Sequence, residues 1–373
     1  LFVTTETPPF RADHVGSLLR SAAVKDARAK HAAGEIDAAA LKAVEDQAIV
    51  ELIAKEEAVG LRSITDGEFR RGAWQWDFLA GLDGVEEGVG SAAPFAGAPA
   101  KAKVMRVTGK LDFSGHPMLD HFRFLKANVH ATPKMTIPSP TMLVSAMRDW
   151  REVVDAAVYP DLDSLFVDLG KAYQKAVQAF ADAGCTYLQL DDCNLSYLCD
   201  PVARQKVTAR GDDPDAMLEA WIRLIEVTLA NKPAGMTVST HICRGNFRSS
   251  WVASGGYEPI AEAIFARMPY DAFFLEYDTD RAGGFEPLRF VPKSGKSRVV
   301  LGLITTKTGE IEDKDVIKQR IDAASKYVDL DRLCLSPQCG FASTEEGNLI
   351  AEEAQWSKLA KTVEIATEVW GHA

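Results

Sequence analysis

His241 and Cys243 stand two residues apart at the end of Thr237-Val238-Ser239-Thr240-His241-Ile242-Cys243-Arg244-Gly245-Asn246, a β-branched run that closes in a Gly-Asn turn. Such a run reads as a buried strand. Side chains alternate faces along a strand, so the imidazole and the thiol point the same way, about 7 Å apart along the backbone. That is half of a zinc site, because zinc takes imidazole nitrogen and thiolate sulfur in a tetrahedral shell. Buried His and Cys are also ordinary core residues, and two ligands do not hold a metal. Other residues of the right chemistry end apolar or polar runs elsewhere: Glu68, Asp191, Glu276 and Cys339. Which of them can meet depends on the elements that carry them.

The 373 residues suit two ordinary domains or one large α/β barrel. With 47% hydrophobic and 25% charged residues, the composition is that of a globular protein. A formal charge of -11, without a Lys/Arg cluster, argues against nucleic acid as a partner. The apolar runs are strand-length, so no membrane span is expected. Leu1–Phe10 is expected to be a tail; it has neither the basic start nor the apolar stretch of a signal peptide. Six cysteines in so long a chain do not suggest a disulfide scaffold, and a reducing cytoplasm is the expected location.

Eight strand-like runs follow one another at 14–17, 61–68, 134–138, 185–191, 236–243, 272–276, 298–304 and 333–337. Helical patterns separate them: 22–59 with a break near Gly34 and a cap at Gly60, then 161–183, about 214–230, about 259–268, 313–327 and roughly 352–370. Repeated βα units with right-handed crossovers build a parallel sheet. Eight of them predict an α/β fold, a single (β/α)8 TIM-type barrel, with a doubly wound open sheet as the second reading. An inserted hairpin or loop is expected near 84–115, since 84–102 is rich in Gly, Ala and Pro and 104–113 looks like a hairpin. No sharp linker interrupts the chain, so residues 1–373 are read as one domain.

In such barrels the chemistry gathers at the C-terminal ends of the strands. Those ends carry Ser17, Glu68, Asp191, His241, Cys243, Glu276, Lys307 and Cys339. Two thiolates, one imidazole and one carboxylate make a full tetrahedral set for Zn2+, with Glu276 as the weaker ligand that a substrate thiolate could displace. Glu276 ends a wholly apolar strand, where an unpaired carboxylate is costly. Cys185, Cys193, Cys199 and Cys334 lack metal spacing and read as core or loop residues. Asp192 reads as a structural partner, His31 as surface, and Trp74 and Trp76 either as a closure over the barrel mouth or as ligand contacts.

On these residues the chain resembles the cobalamin-independent methionine synthases, specifically their catalytic C-terminal barrel in the short bacterial form without the N-terminal barrel. The resemblance runs from Val15-Gly16-Ser17 to the last helix, and its most specific pieces are His241-Ile242-Cys243, the Glu276 of Phe-Leu-Glu-Tyr-Asp, and Ser336-Pro337-Gln338-Cys339-Gly340. It implies His241, Cys243, Glu276 and Cys339 as zinc ligands, Gly16 and Ser17 on the carboxylate of homocysteine, and Glu68 and Asp191 on its amine. It also implies transfer of a methyl group to the zinc-bound thiolate. Two positions depart from the family pattern: Ala146 stands where full-length members stack the pterin on a Trp, and Lys307 where they use a proton-donating His. Lys307 and His14 are therefore the candidate catalytic residues, His14 reading equally as structural. The expected donor is a folate or a methylated corrinoid. Alkyl transfer to another thiol, of the coenzyme M type, is the alternative, and two carboxylates around an amine favour an amino-acid thiol over it. A metal-free barrel like the uroporphyrinogen decarboxylases would leave the four ligands unexplained.

Overall fold

The computed structural model describes residues 7–89 and 103–373. The first six residues of the expected tail, and 90–102 of the expected loop, lie outside the described residues. Nine strands appear among the described residues, in chain order: β1 Ser63–Ile64, β2 Asp83–Val89, β3 Lys103–Asp112, β4 Thr132–Pro138, β5 Tyr187–Asp192, β6 Thr237–Ile242, β7 Ala272–Glu276, β8 Arg298–Ile304 and β9 Leu333–Pro337. Seven of them form one parallel sheet in the order β1-β4-β5-β6-β7-β8-β9, curled as a TIM-type barrel with helices outside. Residues of β5 to β9 are buried almost throughout, as strands covered on both faces must be.

The expected first strand at 14–17 is not one. An extended segment, Phe10–Leu18, takes the eighth place between the sheet edges. Asp13 N donates to Leu335 O and Leu335 N to Arg11 O on the β9 side, while Leu18 N donates to Gly67 O on the β1 side. Side chains do the rest of the joining: Ser63 Oγ donates to Asp13 Oδ1 and Thr65 Oγ1 to Gly16 O. Gly16 has φ +134°, and a Cβ there would lie 2.7 Å from Thr136 Cγ2, so neither regular pairing nor a larger residue fits. The second strand is also shorter than 61–68, because the chain turns at Gly67 and Glu68, both at positive φ. The insertion is a hairpin of β2 against β3, so residues 84–89 are strand rather than loop, and 104–113 contribute one arm rather than two.

The barrel floor holds a polar group that the sequence reading did not single out. Lys134 on β4 is buried, donates to Asp13 Oδ1 at 3.1 Å and lies over the Phe274 ring at 4.2 Å. Tyr187 OH donates to the other oxygen of Asp13. Here too is His14, its Nε2 3.0 Å from Ser63 O and 3.3 Å from Glu56 Oε1. Burial, reinforced by the charge of Lys134, pushes the imidazole down from 6.5 to about 4. Between those values the unfolded chain binds the proton and the folded one does not, so this contribution is full above 6.5 and is lost as pH falls towards 4. Relative to a His14→Gln variant, the protein is expected to lose about 3 kcal/mol of stability from about pH 7 to about pH 4. Urea unfolding of both at each pH checks this; parallel pH profiles would rule it out. No helix among the described residues is long and apolar enough to cross a membrane.

Candidate metal centre

Three strand ends meet at the barrel mouth. β6 brings His241 and the following Cys243, β7 ends on Glu276, and Cys339 lies two residues past the end of β9. One ligand atom from each lies within 4.8 Å of all the others, and all four residues are buried. Cys243 Sγ and Cys339 Sγ are 3.5 Å apart. Two sulfurs on one tetrahedral zinc, at about 2.3 Å each, stand about 3.8 Å apart, so the spacing fits. Among the described residues, neither ring nitrogen of buried His241 has a hydrogen-bonding nitrogen or oxygen. A buried imidazole without such a partner calls for another one. Gly245 N donates to Cys243 Sγ at 3.3 Å, and Glu276 accepts from Arg244 N at 2.9 Å and from Arg281 Nη2 at 3.0 Å.

The electrostatics point the same way. A hydrogen bond with Cys193 first, and burial with it, hold the Cys243 thiol well above its ordinary range; Cys243 and burial do the same to Cys339. Packed without a cation, the two thiols stay protonated. A dipositive ion would reverse that balance, because a coordinated thiol loses its proton outright. The donor set therefore fits zinc, and its soft sulfurs disfavour magnesium or calcium. Cys193, which the sequence assigned to core or loop, is a neighbour of this centre.

His241, Cys243 and Cys339 share one cavity with Val15, Ser17, Glu68, Trp74, Asp191 and Ser343. Glu68 accepts from Thr136 Oγ1 at 2.8 Å and lies 3.4 Å from Arg71 Nη1, while its Oε2 is buried without a partner among the described residues. Its backbone is in the left-handed region at φ 61°, held there by Asp66 Oδ1, which accepts from Glu68 N. Strain of this kind at a non-glycine residue marks a position the fold over-determines. Asp191 accepts from Gln189 Nε2 at 2.7 Å. Burial raises both carboxyls, Asp191 the more strongly because the charge of Glu68 adds to it. The cavity thus carries two buried carboxyls, and the charge of Glu68 opposes the ionisation of Asp191.

Val15 and Ser17 line the cavity, and Gly16 between them packs against Thr136 and Thr65. Ser17 O accepts from Phe341 N, and a Cβ on Gly340 would lie 1.9 Å from Ser17 Oγ, so this wall packs directly on the Cys339 loop. The two candidate catalytic residues are placed elsewhere. His14 belongs to the barrel floor. Lys307 Nζ donates to Asn246 Oδ1 and Ser250 O, and Asn246 Nδ2 donates in turn to Gly340 O and Ser343 Oγ. Its amine thus ties the loop after Cys243 to the loop after Cys339 and does not line the cavity. Ala146 is buried, its N–H donating to Asn194 Oδ1, with no aromatic platform of its own. Of the two mouth tryptophans it is Trp74 that lines the cavity, fixed by donation from its backbone N to Ser343 O. Ser343 has no sequence signal and was missed.

Comparison with known proteins places the chain in a family. Residues 142–368 match the catalytic-domain model of the cobalamin-independent synthases. The uncharacterized protein YxjH of Bacillus subtilis is 50% identical over 97% of this chain and 95% of its own. The crystal structure titled putative vitamin-B12 independent methionine synthase, from Listeria monocytogenes, superposes with a TM-score of 0.78 at 42% identity, covering 98% of this chain and 100% of that one. A more distant relative, the 5-methyltetrahydropteroyltriglutamate–homocysteine methyltransferase of Aeromonas salmonicida, is 22% identical over 87% of this chain and 39% of its own. The chain belongs to the cobalamin-independent synthase family, through that family's catalytic domain. It is a family of methyltransferases.

Proposed function

We propose that this chain is a zinc-dependent S-methyltransferase that makes methionine from homocysteine with a folate-type methyl donor. The observation that carries the reading is one cavity shared by three of the four candidate metal ligands and two buried carboxyls. His241, Cys243, Glu276 and Cys339 would hold the zinc. When bound, it would supply the Lewis acidity that removes the proton from an incoming thiol, whose ordinary pKa is about 8.5.

The chain's own residues do the rest. Glu68 and Asp191 receive the amino group of homocysteine, which aims its sulfur at the ligand cluster across the same cavity. The segment at Gly16 and Ser17 takes the carboxylate; Ser17 lines the cavity, and Gly16 at positive φ lets the chain pass close to Thr136. The methyl group passes from donor to sulfur in a cavity whose lining is mostly buried. In that transfer the bond from donor nitrogen to methyl carbon breaks as the carbon–sulfur bond forms, the nitrogen takes up a proton in place of the methyl group to balance the one the thiol has lost, and orientation lowers the barrier. The name of the Aeromonas relative supports a folate-type donor; the corrinoid alternative has no comparable support. The retained carboxyl pair supports an amino-acid thiol over a sulfonate thiol.

Protein made with zinc available is expected to carry about one zinc per chain. It should form methionine from homocysteine and 5-methyltetrahydropteroyltriglutamate. Metal analysis that finds none overturns the zinc reading. Zinc-loaded protein that methylates homocysteine from none of the folate donors overturns the donor assignment alone.

A further inference from the structure

Glu276 differs from the other three ligands in what stands behind it. Its side chain is fully buried, and both carboxylate oxygens are occupied: Oε1 by the backbone N–H of Arg244 and Oε2 by the guanidinium of Arg281. Arg281 lies in the short turn Asp280–Ala282 after β7. The same Nη2 also reaches Asp278 Oδ1 at 2.8 Å, so one cation serves two carboxylates. Its far face is covered by Trp251, whose ring centroid is 5.0 Å from the guanidinium carbon and which is itself 45% exposed. Gly255 N donates to Arg281 O at 2.8 Å, so the loop after β6 wraps the arginine from the solvent side. Among the described residues, no comparable cation hydrogen-bonds to the ring of His241.

A ligand that leaves a metal must have somewhere to put its charge. For a buried carboxylate without a counter-ion the departure is prohibitive. We infer that Arg281, held between Trp251 and the Glu276–Asp278 pair, is a positioning residue that makes Glu276 the exchangeable ligand: it keeps the carboxylate paired when a substrate thiol takes its place on the metal. The inference rests on the proposed zinc site. Guanidinium suits this task better than ammonium, because its planar fork can hold two carboxylates at once and its flat face accepts an indole.

The test uses the full chain loaded with cobalt(II), whose absorption spectrum reports the ligand set, titrated with homocysteine. In Arg281→Met the thiol-free protein, given enough cobalt to saturate it, is expected to show the wild-type ligand-field spectrum, because the metal then serves as the counter-charge of Glu276. Homocysteine affinity, read from the thiolate-to-cobalt charge-transfer band, should fall by at least about tenfold, the scale of groups that orient metal ligands. Arg281→Lys should restore part of that loss, and Trp251→Ala should give a smaller loss in the same direction. If Arg281→Met takes up homocysteine as wild type does, the inference is overturned. If Arg281→Met does not fold, the Lys and Trp251 variants decide: wild-type homocysteine affinity in both overturns it. Wild-type protein that binds no cobalt overturns the metal site itself, an outcome visible before any Arg281 variant is made.

Discussion

Replacing Cys339 by Ser is expected to abolish metal retention and thiol methylation together. The substitution is nearly isosteric, so the packing of Gly340 on Ser17 survives, but a neutral hydroxyl takes the place of a thiolate. Cys243, 3.5 Å away, loses its sulfur partner and the set falls from four donors to three. Groups that merely orient a ligand cost about 10- to 100-fold in metal affinity, so losing the ligand itself should cost more than about 100-fold. The stability that zinc lends wild type, about 4 kcal/mol when zinc is a thousandfold above its Kd, should fall to about 1.4 kcal/mol or less at the same zinc concentration. Chelator competition and thermal unfolding with and without zinc measure both quantities. Cys334→Ser is the matched control: a buried thiol on β9, the strand that leads to Cys339, but outside the cluster, whose loss should leave the metal in place. A Cys339→Ser variant that kept its zinc and its activity would refute the assignment.

Glu68→Gln should separate substrate binding from the metal. The amide keeps the shape and can still accept from Thr136 Oγ1, but it carries no charge for an ammonium. Loss of one partner in a buried charged contact costs about 2–5 kcal/mol, so the KM for homocysteine should rise about 30-fold or more while zinc content stays the same. The same thiol without its amine, 4-mercaptobutanoate, gives the discriminating comparison. Wild type should prefer homocysteine strongly, and the variant should lose most of that preference. An unchanged preference would remove Glu68 from the amine site.

The ligand cluster was legible in the sequence because each member ends a strand, and a barrel puts strand ends together. His241 and Cys243 share a face by the period of two, while Glu276 stands out as a charge at the end of Ala272-Phe273-Phe274-Leu275. The first strand was harder to read. Its place in the barrel depends on the side chains of Asp13, Ser63 and Thr65, a form of pairing that leaves no alternation to detect. Lys307 and His14 illustrate a different limit. A polar residue near a strand end could face the cavity or serve the frame, and only the positions of Asn246, Ser63 and Glu56 decide which. Arg281 and Ser343 came from loops whose path no period encodes.

The extended segment that completes the barrel also constrains how the site comes into being during synthesis. Arg11 donates to Leu333 O across 322 positions of chain, and Ser17 touches the loop of Cys339. A chain emerging N-terminus first can join this segment to the β1 side early but leaves its other side open until β9 has left the ribosome. Contacts of such sequence separation form slowly, and here they close the barrel and deliver the fourth ligand in one event. On the proposed function, zinc offered to the nascent chain would meet at most three of the four candidate donors, so loading would belong to the finished fold.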